Sequence, residues 1–107
     1  MPNFKIFVNE MNYFHNNLII NLQALNCMPN NCSISKIYLD VDDKTIEADT
    51  DGENYSTVKF KDLYLREYES ETFKITFEMP ELENNKNCKI RFVTPMGNVS
   101  FDLKISF

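Results

Sequence analysis

The chain has 107 residues, of which 43% are hydrophobic and 25% are charged, and its formal net charge is −5. This length and composition fit one ordinary globular domain with a single core, and we treat residues 1–107 as one β-sandwich domain. The content of aromatic and aliphatic residues excludes a disordered chain. No apolar run approaches the ~18–20 residues of a membrane-spanning helix. The excess of acidic residues disfavours a nucleic-acid partner.

Apolar and polar residues alternate along most of the chain, which is the period of a half-buried β-strand. In chain order, the inward sets are Phe4, Ile6 and Val8 on an edge strand; Leu18, Ile20, Leu22 and Ala24; Ile37, Leu39 and Val41; Phe73, Ile75, Phe77 and Met79; Cys88, Ile90 and Phe92; and Val99, Phe101, Leu103, Ile105 and Phe107. Strands recur every ~8–12 residues with turn residues between them. We predict an all-β fold, an antiparallel two-sheet immunoglobulin-like β-sandwich of about seven strands.

Turn residues predict how the strands connect. The last two strands, within residues 88–107, form a hairpin, because Pro95 and Gly97 suit a type I turn closed by a left-handed glycine. Asp42-Asp43-Lys44 predicts a second hairpin, with a short return strand over 45–49. A change of parity at Lys61-Asp62, after the apolar pair Val58 and Phe60, predicts a bulge or a bend.

An acidic face is the most distinctive feature of the sequence. If Leu39 and Val41 point inward, then Tyr38, Asp40 and Asp42 point outward, and the return strand adds Glu47 and Asp49 to the same side. Such a surface can receive a basic protein surface or a divalent cation. The alternative is a solvated edge that deters strand-to-strand aggregation.

Exposed tyrosines add to this candidate site. Tyr64 is a second tyrosine at a predicted outward position beside charges, and tyrosine is common in recognition surfaces. We therefore take six residues as candidate partner-binding residues: Tyr38, Asp40, Asp42, Glu47, Asp49 and Tyr64.

No residue pattern predicts catalysis, a metal or a cofactor. Residues 47–52 imitate the start of a calcium-binding loop, but Glu47 stands at its first position and Val58 stands where a bidentate glutamate is required. His15 is the only histidine, and nothing in the sequence places it beside a cysteine. We expect no enzyme activity, no catalytic residues, no metal site and no cofactor.

The three cysteines admit three interpretations. Cys27 and Cys32 could close a small loop, or one of them could meet Cys88 between the sheets, or all three could be reduced thiols. The odd number leaves at least one thiol unpaired within the chain.

Residues 67–80, which end in Phe77-Glu78-Met79-Pro80, resemble the late strands of small telokin-like, immunoglobulin-type β-sandwiches of bacterial exported proteins and lipoproteins. The closing strand Val99–Phe107 and the early strand Leu18–Asn26 fit the same pattern. The resemblance implies a non-catalytic interaction module, and it supplies no active-site residues.

Together these patterns predict a non-catalytic protein-binding or adaptor domain that uses the acidic, tyrosine-bearing face. The alternative is a small acidic inhibitor, of viral or mobile-element origin, that blocks a basic site on a nucleic-acid enzyme. We expect a protein partner, with a homodimer through an edge strand as a further arrangement. The sequence shows no signal peptide, which predicts a cytoplasmic protein, or a secreted one if a signal has been removed.

Overall fold

We describe the protein from a computed structural model, which covers residues 2–48 and 63–107. Within these residues the chain forms nine β-strands and no helix. The strands are β1 (Phe4–Phe14), β2 (Asn17–Asn26), β3 (Cys32–Ser33), β4 (Lys36–Val41), β5 (Lys44–Glu47), β6 (Tyr64–Leu65), β7 (Ser70–Glu78), β8 (Asn87–Thr94) and β9 (Gly97–Lys104). In this part of the chain there is no helix long and apolar enough to cross a membrane.

Seven of these strands form two antiparallel sheets. One sheet has the strand order β1-β2-β7, and the other has the order β5-β4-β8-β9. The remaining strands, β3 and β6, form a separate short pair. The predicted all-β class and antiparallel sandwich are therefore confirmed.

One hydrophobic core connects the two sheets. The rings of Phe4 on β1 and Phe92 on β8 lie 6.2 Å apart, centroid to centroid, and so join one sheet to the other. The fully buried side chains include members of both sheets: Leu18, Ile20, Leu22, Ile75 and Phe77 from one, and Ile37, Leu39, Ile90 and Phe92 from the other. Period-two alternation in the sequence thus produces two apolar faces that bury each other.

β1 contains a bulge and continues beyond the point where the alternation in the sequence ends. Ile6 pairs with Ala24 and Val8 with Leu22, but the register shifts between Val8 and Glu10. After the shift Met11 and Tyr13, at odd positions, pair with the buried side of β2. The extra residue reverses the parity, so the alternation seen at Phe4, Ile6 and Val8 ends although the strand continues.

The last hairpin turns at the predicted position, between the paired residues Thr94 and Gly97, and its second strand is shorter than predicted. Gly97 has a φ of 117°, a backbone conformation that favours glycine. β9 ends at Lys104, and Ile105 leaves the sheet to form backbone hydrogen bonds with Asn85 and Lys86, where its side chain is fully buried. Phe107 then packs its ring against Tyr13, with 5.1 Å between centroids.

Asn26 fixes the chain where it leaves β2. Its side-chain amide donates to the carbonyl oxygens of Asn30 (2.8 Å) and Leu65 (3.2 Å), and its Oδ1 accepts from the backbone N–H of Met28 (3.0 Å). The residue is fully buried, so these bonds satisfy polar groups that water cannot reach. They tie the loop after β2 to β6.

Several predicted features lie outside the described residues. They are Asp49, the strand residues Val58 and Phe60, the parity change at Lys61-Asp62, and most of the calcium-like loop over 47–52.

Candidate binding face

Four of the candidate residues lie on or beside the outer surface of the four-stranded sheet. Leu39 and Val41 are buried in the core, whereas Tyr38 and Asp40 are half-buried on the opposite side of β4. On β5, Glu47 is exposed. The predicted sorting of these side chains is therefore confirmed. We call the outer surface of β5, β4, β8 and β9 the sheet face.

The sheet face is organised in two rows across the strands. In the first row Tyr38 stands between Glu47 of β5 and Arg91 of β8. In the second row Asp40 stands between Thr45 of β5 and Lys89 of β8. The carboxylates of the β4–β5 hairpin therefore do not face one another, which avoids the repulsion of like charges directly opposite.

Arg91 joins the two rows. Its Nε lies 3.1 Å from Oδ2 of Asp40 and its Nη2 lies 3.2 Å from Oδ1, which is a bidentate ion pair. The Thr45 hydroxyl donates to the same Oδ1 at 2.7 Å. The Arg91 guanidinium also stacks on the Tyr38 ring, with Cζ 4.6 Å from the ring centroid.

This arrangement changes the acid–base properties of both partners. The hydrogen bond from Arg91 lowers the pKa of Asp40, against the opposing effect of burial, and the hydrogen bond from Thr45 lowers it further. The same bond with Asp40 raises the pKa of Arg91. Both groups therefore stay charged at neutral pH, and the pair holds its geometry.

The other carboxylates of the face are also paired with lysines. Lys36 Nζ lies 3.5 Å from Glu47 and Lys89 Nζ lies 3.0 Å from Asp102. In the β4–β5 turn, Asp42 lies 3.0 Å from Lys86. The expected acidic face is thus a face of balanced charge.

Sequence analysis missed Arg91 and the lysines as members of this face. Arg91 and Lys89 come from β8, about 50 positions along the chain from Asp40, and only the sheet pairing brings them beside β4. The signal in the sequence was the alternation of Lys89 and Arg91 with buried Ile90, which puts both on the outward side of a strand.

Tyr64 lies apart from the other candidates. It is 46% exposed on β6, where it pairs with Ser33 of β3, and a shallow depression beside it includes Arg66 and Glu69. Asp49 lies outside the described residues.

His15 and Cys27 lie too far apart to form a nucleophile–base pair. His15 lies in the β1–β2 turn and Cys27 follows the far end of β2, so a ten-residue strand of about 33 Å separates them. Cys27, Cys32 and Cys88 are all free, and burial raises the pKa of the Cys88 thiol to about 11. In residues 2–48 and 63–107 no three His, Cys, Asp or Glu side chains are grouped to hold a metal ion.

The fold and the sheet face define a small all-β sandwich with an ordered, mixed-charge surface. A scan of protein-family models finds no match, and a comparison with curated proteins finds none either. Among solved structures the chain is similar to the archaellum periplasmic stator protein FlaG from Sulfolobus acidocaldarius, with a TM-score of 0.53 and 15% sequence identity over 94% of this chain and all of that chain. This likeness shows a shared β-rich fold.

Proposed function

We propose that this protein is a non-catalytic protein-binding or adaptor domain whose partner contacts the sheet face. The observation that supports this proposal is the bidentate Arg91–Asp40 pair stacked on Tyr38. Arginine and tyrosine dominate the energetics of many protein interfaces, and side chains already held in place lose less entropy on binding.

The proposed mechanism uses Tyr38 as the anchor. Its ring is half-buried, with one side against Arg91, so a partner gains apolar contact with a side chain that is already ordered. Charges of both signs surround it, with Glu47 and Lys36 on one side and Asp102 and Lys89 on the other. A partner surface with the complementary pattern would dock in one orientation.

We also propose that the sandwich is immunoglobulin-like. The strand order supports this, because β4, β8 and β9 are adjacent in one sheet, as C, F and G are in immunoglobulin domains, while β1, β2 and β7 correspond to A, B and E. The FlaG neighbour is described as a periplasmic stator protein, which is compatible with an interaction role for this chain.

A capture experiment with paired tyrosine variants tests the function. The full chain is immobilised and exposed to a lysate of the cells that encode it, as wild type, Tyr38→Ser and the matched control Tyr64→Ser. We expect wild type and Tyr64→Ser to retain the same protein and Tyr38→Ser to retain it at least about fivefold less. Thermal unfolding followed by circular dichroism verifies that all three are folded. Equal retention by the three proteins would contradict the proposal.

The salt dependence of binding separates this function from the acidic inhibitor. An inhibitor that occupies a nucleic-acid site loses affinity steeply as salt rises. Because Asp40, Asp42 and Glu47 are each paired with a basic side chain, we expect a shallow dependence. A decrease of about tenfold or more between 50 and 200 mM salt would favour the inhibitor instead.

We propose a reducing compartment, since the three thiols are free, and alkylation of the protein as isolated from cells tests this. The periplasmic FlaG neighbour is compatible with the exported alternative.

Pairing of two copies through the β1 edge would give a homodimer, which sedimentation at increasing concentration would detect.

A further inference from the structure

A cleft opens at the end of the sandwich where the β4–β5 turn meets the chain that follows β7. Its apolar surface comes from Val41 and Ile46 of the four-stranded sheet and from Met79 and Leu82 after β7, and we call it the end cleft. Val41 and Met79 are buried, while Ile46 and Leu82 are half-buried. Its volume of about 210 Å³ is below the ~300–1,000 Å³ of pockets that enclose whole ligands. It has the size for one inserted side chain.

Hydrogen bonds fix the apolar wall of the end cleft. The backbone N–H of Met79 donates to the carbonyl of Asn16 at 2.8 Å. The Tyr13 hydroxyl donates to the Met79 carbonyl and accepts from the N–H of Leu82 at 3.3 Å. The wall is therefore formed before a partner arrives, which lowers the cost of binding.

The rim of the end cleft is acidic. It includes four carboxylates and two ammonium groups, which belong to Asp42, Glu78, Glu81, Glu83, Lys44 and Lys86. Lys86 is engaged by Asp42 at 3.0 Å and by Glu83 at 3.9 Å. Within the described part of the chain, no ion pair involves Glu78, Glu81 or Lys44, so the unpaired groups of the rim are two carboxylates and one ammonium group. This rim attracts cationic groups.

We propose that the end cleft binds a leucine side chain of a partner protein. The leucine belongs to an exposed segment in which lysine or arginine stands on either side of it. The apolar wall takes the leucine, and Glu78 and Glu81 pair with the flanking cations. Charge complementarity and cleft size both select this occupant. The end cleft shares only Asp42 with the candidate residues of the sheet face, so the inference does not depend on the proposed function.

A short peptide tests the end cleft directly. The probe is acetyl-Ser-Lys-Leu-Lys-Ser-amide, added to the ¹⁵N-labelled full chain at up to about 5 mM and followed by NMR. We expect saturable shifts at the amides of Ile46, Met79 and Leu82 with a Kd of roughly 0.1–1 mM. The peptides with serine in place of leucine, or with glutamate in place of both lysines, should bind at least about tenfold more weakly.

Charge-reversed variants locate the recognition. Glu78→Lys and Glu81→Lys change exposed side chains on the rim, and each should weaken binding of the lysine-flanked peptide about tenfold. Glu71→Lys reverses another exposed glutamate, at the other end of β7, and serves as the matched control. Tyr38→Ser should bind the peptide as wild type does.

Three results would overturn the proposal. They are the lack of saturable shifts with the lysine-flanked peptide, equal binding of the serine- or glutamate-substituted peptides, and equal weakening by Glu71→Lys and Glu78→Lys. None of these results bears on the capture experiment at the sheet face, so the two proposals fail separately.

Discussion

Arg91 contacts two side chains of β4 at once, the Asp40 carboxylate and the Tyr38 ring. Because the hydrogen bond from Arg91 is the main cause of the lowered pKa of Asp40, Arg91→Gln should return that pKa toward its ordinary value of 3.8. A pH titration of the Asp40 carboxyl carbon by NMR measures the change.

The sign of the stability effect follows from the same shift. A carboxyl group whose pKa is lower in the folded state than in the unfolded chain stabilises the fold at pH values above its unfolded pKa. This contribution is lost as the pH falls through the folded pKa. Arg91→Gln should therefore cost about 1 kcal/mol at pH 7 and less at pH 2. The control is Lys36→Gln, which removes the exposed ion pair between Lys36 of β4 and Glu47 of β5. If it shifted the Asp40 pKa as much as Arg91→Gln does, the assignment would be wrong.

The Cys88 thiol should be inert in the folded protein. Burial raises its pKa to about 11, so almost no thiolate forms at pH 8, whereas the half-buried Cys27 is accessible. Alkylation with iodoacetamide followed by peptide mass spectrometry should modify Cys27 well before Cys88. The reverse order would contradict the burial of Cys88.

Stability should also fall at high pH because of Cys88. The unfolded chain releases the thiol proton from about pH 9, whereas the folded protein keeps it up to about pH 11. The free energy of unfolding therefore falls as the pH rises from about 9 to about 11. The free energy of unfolding of wild type should fall relative to that of Cys88→Ala over this interval, which urea unfolding at pH 9 and at pH 11 measures. An unchanged difference would mean that the thiol pKa is the same in both states.

Asn26 acts at the scale of the elements, because its side chain connects the end of β2, the following loop and β6. Asn26→Ala would leave three buried backbone groups without their partner and should cost about 2–4 kcal/mol in urea unfolding. Asn26→Asp should be as damaging at pH 7, since a carboxylate would face two carbonyl oxygens.

Gln23 on the same strand provides the comparison for Asn26. Its amide donates to the Ser70 hydroxyl at 3.2 Å at an exposed position. Gln23→Ala should cost less than about 0.5 kcal/mol. Similar costs at positions 23 and 26 would refute the role of the buried amide.

The elements also show what the sequence could predict and where prediction stopped. Alternation located Leu39, Ile90 and Phe92 in the core, because period two is a local property of a strand. It failed after Val8, where one inserted residue reverses the parity of β1. The Arg91–Asp40 pair was also missed, because strand neighbours that are distant in the chain have no local signal.

At the scale of the whole molecule, stability should depend on contact between the two sheets. Phe92 is fully buried and its ring approaches Phe4 of the opposite sheet, so Phe92→Ala should cost about 3–5 kcal/mol. Phe14 is 61% exposed, and Phe14→Ala should stay within about 0.5 kcal/mol of wild type. Urea unfolding of both variants measures the loss in the free energy of unfolding. Equal losses would be incompatible with a core between the sheets.

The strand order determines how the chain reaches this structure. The hairpins β1–β2, β4–β5 and β8–β9 close over two-residue turns and can form within microseconds. The pairing of β2 with β7 instead joins partners as distant as Asn17 and Glu78, 61 positions apart. Closing so large a loop costs entropy before any contact compensates for it. Refolding after dilution from urea should therefore be slow for a chain of this size, on the order of milliseconds to seconds, with the β2–β7 pairing as the rate-limiting step.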